Sequence, residues 1–345
     1  MNFSVIVPVH NAENYIKELM DSLLTQDFYE IILIENGSED NSPAICDDYS
    51  EKEANVSCYH YGRIGAFRAR REGIKKASGD YLLFADADDV VSSTMRIDLL
   101  ACLDYWQHEG TVPDIILYNA ADYNKRDNKL FSFPFDDRTL YQGDEKNAFY
   151  KVMCGGDSLN AMWNKAIKRN FAEETETFTG LMLSFGEDLL QTAEYLDKAK
   201  SLVYLDKALY YYRENNEGLT GSYHEQYMAD QINAWQLFDE YADRWADSSD
   251  NYRQIISQRK ALTCTIGATQ LIYARLSFGI KRKRLGSLLN SPFYREYAFG
   301  DLPSWAPEEA VFVHGMQMSS RAYDKLLRSA VIHDVKAAVK KMIGR

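Results

Sequence analysis

The sequence predicts an α/β protein in which a mainly parallel sheet is flanked by helices and followed by a helical C-terminal region. Two observations predict this class. Strand-like runs alternate with helical patterns over residues 3–120, and these runs are apolar along most of their length, which is typical of parallel strands covered on both faces. Helical patterning dominates from residue 223 onward. We therefore predict one domain over residues 1–222 and a mainly helical region over residues 223–345, which would contact an acceptor, a second subunit or a membrane surface.

The predicted elements follow one another in strand–helix order. The first helix has Ile16, Leu19 and Leu23 at helical spacing, and the second has Pro43 in its first turn, where proline is favoured. Strands are predicted at residues 3–9, 30–35, 56–61, 81–85 and 114–120, and helices at residues 13–26, 43–53, 65–77 and 93–108.

The composition is that of a globular, acidic chain of 345 residues. Hydrophobic residues make up 46% and charged residues 26% of the chain, and the formal net charge is −12. This charge excludes a general nucleic-acid binder, which needs a basic surface. The five cysteines are scattered without a C-x-x-C pair, which argues against a disulfide framework and a zinc site. The N-terminus lacks a signal-peptide pattern, and no apolar stretch is long enough to cross a bilayer, so we expect a cytoplasmic protein.

A group of carboxylates follows the fourth predicted strand. The stretch "YLLFADADDVV" places Asp86, Asp88 and Asp89 directly after four apolar or aromatic residues. In parallel sheets, ligands bind beyond the carboxyl ends of the strands, and the polar segments after strands one, two and four should meet there. Carboxylate oxygens are ligands for Mg²⁺ or Mn²⁺, so a divalent cation site is predicted. A helix cap is the alternative, and we favour it for Asp89.

Five segments carry a resemblance to a known family. In order and spacing, "SVIVPVHNAENYIKELMDSLLTQ", "IILIENGSEDNS", "GAFRARREGIKKASGDYLLFADADD", "WNKAIKR" and "GEDLL" resemble a family 2 glycosyltransferase of bacterial polysaccharide assembly, over residues 2–215. The resemblance implies a GT-A type fold with a Rossmann-like sheet. It also implies an inverting, metal-dependent enzyme that moves a sugar from a nucleotide-diphosphate donor, most simply a UDP-sugar, to a hydroxyl of a glycan or lipid-linked acceptor.

The resemblance also implies donor-site residues. Asp88 would ligate Mn²⁺ or Mg²⁺, Asp86 would lie on the ribose side of the same site, and Arg70 would contact the diphosphate. Glu35 would accept a hydrogen bond from the base, although the family commonly has an Asp-Asp pair where this chain has Glu35-Asn36. The full implied donor and metal set is Pro8, Val9, Glu35, Asn36, Arg70, Asp86, Ala87 and Asp88.

A second segment with candidate catalytic residues, "SFGEDLL", lies at the start of a predicted helix. By resemblance, Asp188 is the general base for the acceptor hydroxyl, with Glu187 beside it. Glu187 would raise the pKa of Asp188, while the helix N-terminus would lower it, and a simple dipole-complementing role is the alternative. The resemblance places Trp163, Asn164 and Lys165 on the acceptor side, against the alternative of a buried tryptophan.

The last 25 residues read as a basic amphipathic helix. Residues 321–345 contain seven Lys or Arg and two Asp, and Ile332, Val335, Val339, Met342 and Ile343 form one helical stripe. Such a helix suits an anionic membrane surface, and packing on the protein body or a second subunit is the alternative. For the whole chain, a nucleotidyltransferase and a non-catalytic sugar-nucleotide binder remain alternative functions.

Overall fold

The computed structural model describes residues 1–173, 183–214, 223–246 and 251–343; the side chains of Val335 and of residues 337–343 lie outside the described part. The chain divides into two compact units. The first comprises Met1–Met153 with Asp157–Asn215, and the second comprises Cys154–Gly156 with Asn216–Arg345.

The first unit contains the sheet and the helices that cover it. Its strands are β1 (Phe3–Val9), β2 (Glu30–Asn36), β3 (Val56–Tyr61), β4 (Tyr81–Phe84), β5 (Val90–Val91), β6 (Ile115–Asp122), β7 (Lys125–Lys129), β8 (Leu140–Gln142), β9 (Lys165–Lys168) and β10 (Ser201–Tyr212). Its helices are α1 (Ile16–Leu24), α2 (Ser42–Lys52), α3 (Ala66–Lys76), α4 (Met95–His108), α5 (Asn147–Gly155), which ends where the second unit begins, α6 (Arg169–Glu173) and α7 (Glu187–Lys198).

The predicted α/β class is confirmed, and the sheet is mixed. Its strand order is β3-β2-β1-β4-β9-β6-β10-β5, with β7 beside β6 and β8 beside β10. The four neighbouring strands β3, β2, β1 and β4 pair in parallel. Beyond β4 the direction changes, because β9 inserts antiparallel between β4 and β6. The sequence pattern did not reveal β9, because its four residues, KAIK, have only two apolar residues between lysines.

The two sides of β1 contact different helices. Val5 and Val7 are buried in one apolar cluster that includes residues of α1 and α4. Ile6 faces the other side, where Gly73 brings α3 so close that a Cβ at position 73 would lie 2.3 Å from Ile6 Cγ2. Alternation along the strand therefore places helices on both faces of the sheet. The position of α3 matters for the site, since this helix carries Arg70.

The second unit is helical in its described part. Its helices are α8 (Tyr227–Trp245), α9 (Tyr252–Tyr273), α10 (Phe278–Asn290), α11 (Pro292–Tyr297), α12 (Glu308–Gln317) and α13 (Ala322–Ile343). Leu326 and Ala330 of α13 are fully buried in its core, while Ile332 is 46% exposed. The other members of the predicted stripe, Val335, Val339, Met342 and Ile343, have side chains outside the described part. None of the described helices is long and apolar enough to cross a membrane.

Candidate active site at the carboxyl edge of the sheet

The segments that follow β1 and β2 meet at one edge of the sheet. His10 Nδ1 lies 3.0 Å from the Asn36 carbonyl oxygen, and the Asn11 N–H donates to Ser38 Oγ at 3.0 Å. The Glu39 N–H returns a hydrogen bond to Asn11 Oδ1 at 2.8 Å. These bonds fix the two loops against each other, which gives this edge a defined shape.

The aspartate loop after β4 separates its three carboxylates into different environments. Asp86 and Asp88 are partly exposed, with Ala87 buried between them, whereas Asp89 is 1% exposed. Asp89 accepts hydrogen bonds from the Tyr210 hydroxyl and the Arg213 N–H, both at 2.7 Å. The helix-cap interpretation of Asp89 is wrong, because α4 begins at Met95 and is preceded by Thr94.

Asp89 supports the loop from inside the protein. Burial, followed by the charge of Asp86, raises the pKa of Asp89 to about 8, and the hydrogen bonds from Arg213 and Tyr210 oppose this rise. The Tyr210 hydroxyl also accepts from the Asp86 N–H at 2.9 Å, so Tyr210 holds the loop at two points. Sequence analysis missed this tyrosine, which lies in the aromatic run "LYYYR" of β10.

Arg70 lies between Asp86, which is implied on the donor side, and Asp188, the implied general base. Its guanidinium is 5% exposed; one terminal nitrogen pairs with Asp86 Oδ1 at 3.3 Å and the other with Asp188 Oδ1. Burial opposes the charge of Arg70, but Asp188 and Asp86 raise its pKa above the ordinary value, so it stays charged. The structure therefore places Arg70 as a bridge between carboxylates, whereas the sequence predicted a contact with the diphosphate.

Asp188 and Glu187 begin α7, after Gly186 with a φ of +85°. This left-handed conformation suits glycine. Burial and the neighbouring Asp188 charge raise the pKa of Glu187 to about 8, so Glu187 is mostly protonated at neutral pH while Arg70 neutralises Asp188. A carboxyl group with a strongly raised pKa, such as that of Glu187, is common at sites that transfer protons.

Several acidic groups around the aspartate loop act on one another. Burial raises the pKa of Asp86, and Asp188 and Asp88 raise it further, while Arg70 opposes both effects. Carboxylate oxygens are donors that suit Mg²⁺ and Mn²⁺, and an additional cation would relieve the repulsion between Asp86 and Asp88. The residues present therefore fit a hard divalent ion, with the two side chains supplying part of its coordination.

The implied base-contacting pair lies at the end of β2. Glu35 is 4% exposed; its Oε1 accepts the Ser38 N–H at 2.6 Å, and its Oε2 lies 3.4 Å from His60 Nδ1. Asn36 is also buried and accepts the Ile64 N–H at 2.7 Å. Both side chains are held by the protein itself. Pro8 and Val9 end β1 beside them, with Val9 paired to Glu35 in the sheet register.

The three implied acceptor residues are buried. Trp163 is 8% exposed and stacks on Tyr210 at 4.6 Å between ring centroids. Asn164 donates to the Ser158 carbonyl at 3.3 Å. Lys165 donates to Asn164 Oδ1 and the Leu159 carbonyl, both at 2.7 Å, and burial lowers its pKa to about 7. In this conformation the polar atoms of Asn164 and Lys165 are used inside the protein, and neither is presented to a sugar.

A separate cavity of about 740 Å³ lies within the second unit. Tyr223, Gln270, Tyr273, Arg275 and Glu309 are among its lining residues. Glu309 is the only carboxylate among the described residues that line it, in contrast to the group of acids at the sheet edge.

A sequence-family match covers most of the segments that form this edge of the sheet. The model for "Glycosyl transferase family 2" matches residues 4–171, which include the loops after β1, β2 and β4. These residues belong to glycosyltransferase family 2. The predicted family is thereby confirmed for residues 4–171.

The proteins of similar sequence include bacterial glycosyltransferases. The chain is 30% identical over 230 residues to "Uncharacterized glycosyltransferase EpsJ" of Bacillus subtilis, covering 63% of this chain and 62% of EpsJ. It is 29% identical over 226 residues to "Poly(ribitol-phosphate) beta-N-acetylglucosaminyltransferase TarS" of Staphylococcus aureus, covering 63% of this chain and 36% of TarS. The alignments thus span less than two thirds of these relatives.

Solved structures of S. aureus TarS residues 1–349 have a similar fold. The complex with UDP matches with a TM-score of 0.59 and 19% identity, covering 100% of this chain and 92% of that one. The complex with UDP-GlcNAc matches with a TM-score of 0.54 and 20% identity, covering 97% and 89%. At this identity the likeness concerns the fold.

Proposed function

We propose that the chain is an inverting, metal-dependent glycosyltransferase that uses a UDP-sugar donor and a glycan or lipid-linked acceptor in cell-surface polysaccharide synthesis. The observation that carries this proposal is the Asp86–Arg70–Asp188 bridge. It joins the implied donor-side carboxylate to the implied general base, as a displacement between donor and acceptor requires.

Asp188 is the proposed general base. Arg70 holds Asp188 Oδ1 and keeps the carboxylate oriented, which leaves Oδ2 to accept the proton of the acceptor hydroxyl. The acceptor oxygen then bonds to the anomeric carbon, and the bond from that carbon to the diphosphate oxygen breaks with its electron pair on the leaving group. Because its pKa is raised, Glu187 is mostly uncharged at neutral pH and does not add a second negative charge beside the base.

Asp88 and Asp86 are the proposed ligands for Mn²⁺ or Mg²⁺. When bound, such an ion stabilises the negative charge that grows on the departing nucleoside diphosphate. Tyr210 and Asp89 hold the backbone of the loop that presents these two carboxylates. The loop is thereby ordered before any donor arrives, which reduces the entropic cost of binding.

Glu35 and Asn36 are proposed to line the pocket for the base, next to Pro8 and Val9. UDP is the favoured nucleotide because the TarS fragment of similar fold was solved with UDP and with UDP-GlcNAc. The name of TarS refers to a poly(ribitol-phosphate) acceptor, and we extend to this chain only the class of a cell-surface polymer.

Substitution of the two key aspartates separates the donor site from the base. We expect Asp88→Ala and Asp188→Ala each to lower transfer by at least ~10²-fold, in line with the loss of a general base or of leaving-group stabilisation. Asp88→Ala should also abolish the metal dependence of UDP binding, whereas Asp188→Ala should leave it nearly intact. UDP-sugar turnover and calorimetry on the same preparations measure both effects.

A matched control is available in the same unit. Asp48 on α2 is exposed and pairs with Lys52, so Asp48→Ala should change neither transfer nor UDP binding. Full transfer activity in Asp188→Ala would show that Asp188 is not the base. Metal-dependent UDP binding in Asp88→Ala would show that Asp88 is not a metal ligand.

A further inference from the structure

A second cluster of potential metal ligands lies beside Glu35, on the outer part of the parallel sheet. Asp47 belongs to α2, and Cys58 and His60 belong to β3, the strand at that end of the sheet order. Cys58 and His60 are two residues apart and therefore point to the same face of the strand. Their ligand atoms and a carboxylate oxygen of Asp47 all lie within 4.8 Å of one another.

The distances within this cluster suit a tetrahedral metal ion. His60 Nε2 lies 3.5 Å from Cys58 Sγ and 2.8 Å from Asp47 Oδ1. Zinc binds sulfur at about 2.3 Å and nitrogen at about 2.0–2.1 Å, so a tetrahedral angle separates these two ligands by about 3.5 Å. The sulfur and nitrogen are thus at ligand spacing, whereas Asp47 Oδ1 is about 0.5 Å closer to His60 Nε2 than two ligands of tetrahedral zinc would be. Asp47 and His60 are exposed at the surface, which gives the ion an entry path.

A carboxylate behind His60 completes the surroundings of the cluster. His60 Nδ1, the nitrogen that faces away from the cluster, lies 3.4 Å from Glu35 Oε2. A carboxylate on the far side of a ligating histidine fixes the ring and raises its basicity.

We propose that Asp47, Cys58 and His60 form a Zn²⁺ site with an open fourth position, and that Glu35 orients His60. Thiolate and imidazole select zinc over Mg²⁺ and Mn²⁺, so this site differs in chemistry from the Asp86 and Asp88 pair. The site was not expected from sequence, because α2 and β3 supply its ligands without a motif spacing. If the proposed function holds, an ion here would also fix Glu35 at the base pocket.

Cobalt substitution tests the site without reference to nucleotide or transfer. The full chain, stripped by a chelator and kept reduced, is titrated with Co²⁺, and the near-ultraviolet charge-transfer band of thiolate-bound cobalt is recorded. We expect the band to saturate at one Co²⁺ per chain and to disappear on addition of Zn²⁺. Cys58→Ser should abolish the band, and Glu35→Gln should weaken Co²⁺ affinity by ~10–100-fold, as expected for a group behind a ligand.

Two variants serve as matched controls. Cys102→Ser removes a thiol that is buried elsewhere, on α4, and Asp88→Ala removes the proposed ligand of the other metal site; both should retain the band. Absence of a thiolate band in the wild-type chain would overturn the proposal, as would a band that survives in Cys58→Ser or vanishes in Asp88→Ala. Because the wild-type spectrum is itself decisive, an unstable variant does not leave the question open.

Discussion

At the scale of single residues, Arg70 determines how the carboxylates of the site behave. Its two terminal nitrogens contact different partners, Asp86 and Asp188. A planar guanidinium makes two such contacts in a fixed geometry, whereas a lysine ammonium is a single point charge. The motif order indicated that an arginine belongs here, but only the fold shows that it spans two acids 118 and 16 residues away.

Arg70→Lys should therefore lose most of the transfer activity while keeping the charge. Breaking a buried ion pair typically costs ~3–5 kcal/mol, and the partial exposure of the two carboxylates, 36% and 32%, places the expected loss of stability at the lower end. Urea unfolding and turnover measure the two effects. Arg68→Lys on the same helix is the control and should resemble the wild type; wild-type turnover by Arg70→Lys would show that the bridge is dispensable.

Glu187 gives the protein a specific dependence on pH. Its folded pKa of about 8 lies above its ordinary value of 4.5, so the folded state binds more protons than the unfolded state between these values. This contribution is fully present below pH 4.5 and is lost as the pH rises towards 8. Glu187→Gln should lose less stability than the wild type between pH 5 and pH 9, as followed by urea midpoints. An identical pH profile in both proteins would contradict the raised pKa.

At the scale of elements, the position of β10 explains how the aspartate loop is held. Tyr210 of β10 bonds both Asp86 and Asp89 and stacks on Trp163. The sequence indicated the aspartates and the tryptophan separately. It could not show that they share one tyrosine, because that contact spans 124 residues and depends on the β5–β10 pairing.

Tyr210→Phe isolates the hydroxyl from the ring. It leaves the buried Asp86 N–H and the Asp89 carboxyl each without one partner, which costs ~1–3 kcal/mol. We expect that loss of stability together with weaker metal-dependent UDP binding. Tyr211→Phe, on the opposite side of the same strand, should change neither. Unaltered UDP affinity in Tyr210→Phe would mean that Asp89 and the remaining backbone bonds hold the loop alone.

Helix α3 depends on a glycine for its approach to β1. A Cβ at position 73 would lie 2.3 Å from Ile6 Cγ2, whereas nothing lies within 4 Å of a Cβ at Gly279 on α10. Alanine favours a helix by ~1 kcal/mol over glycine, and overpacking costs ~1–3 kcal/mol. Gly73→Ala should therefore destabilise the protein and weaken the Arg70 contacts, while Gly279→Ala should stabilise it. Stabilisation by both in urea unfolding would show that α3 moves freely.

At the scale of the whole molecule, the sequence predicted the four parallel strands β1 to β4 better than the rest of the sheet. A strand with a continuous apolar run, such as β2, forms in the structure as its sequence pattern predicts. The strand β5 has only two residues, and β9 has only two apolar residues between lysines, so neither shows such a run. The same limit applies to Asn164 and Lys165, whose burial follows from the insertion of β9 between β4 and β6.

The basic C-terminal helix remains a proposed membrane contact. Because Leu326 and Ala330 are core residues, a chain ending near residue 320 would lose part of the second unit's core, so charge reversal is the cleaner change. Lys336→Glu, Lys340→Glu and Lys341→Glu together should reduce co-sedimentation with anionic vesicles and leave neutral vesicles unaffected. Equal, negligible binding by the wild type and the variant would favour packing on protein.

The most direct measurement is calorimetric titration of UDP into the full chain, with and without Mn²⁺. A donor site at Glu35, Asp86 and Asp88 predicts binding that requires Mn²⁺ and that GDP and CMP do not reproduce. Equal UDP affinity with and without Mn²⁺ would contradict the assigned metal role of Asp88. No UDP binding in either condition would contradict the proposed donor itself.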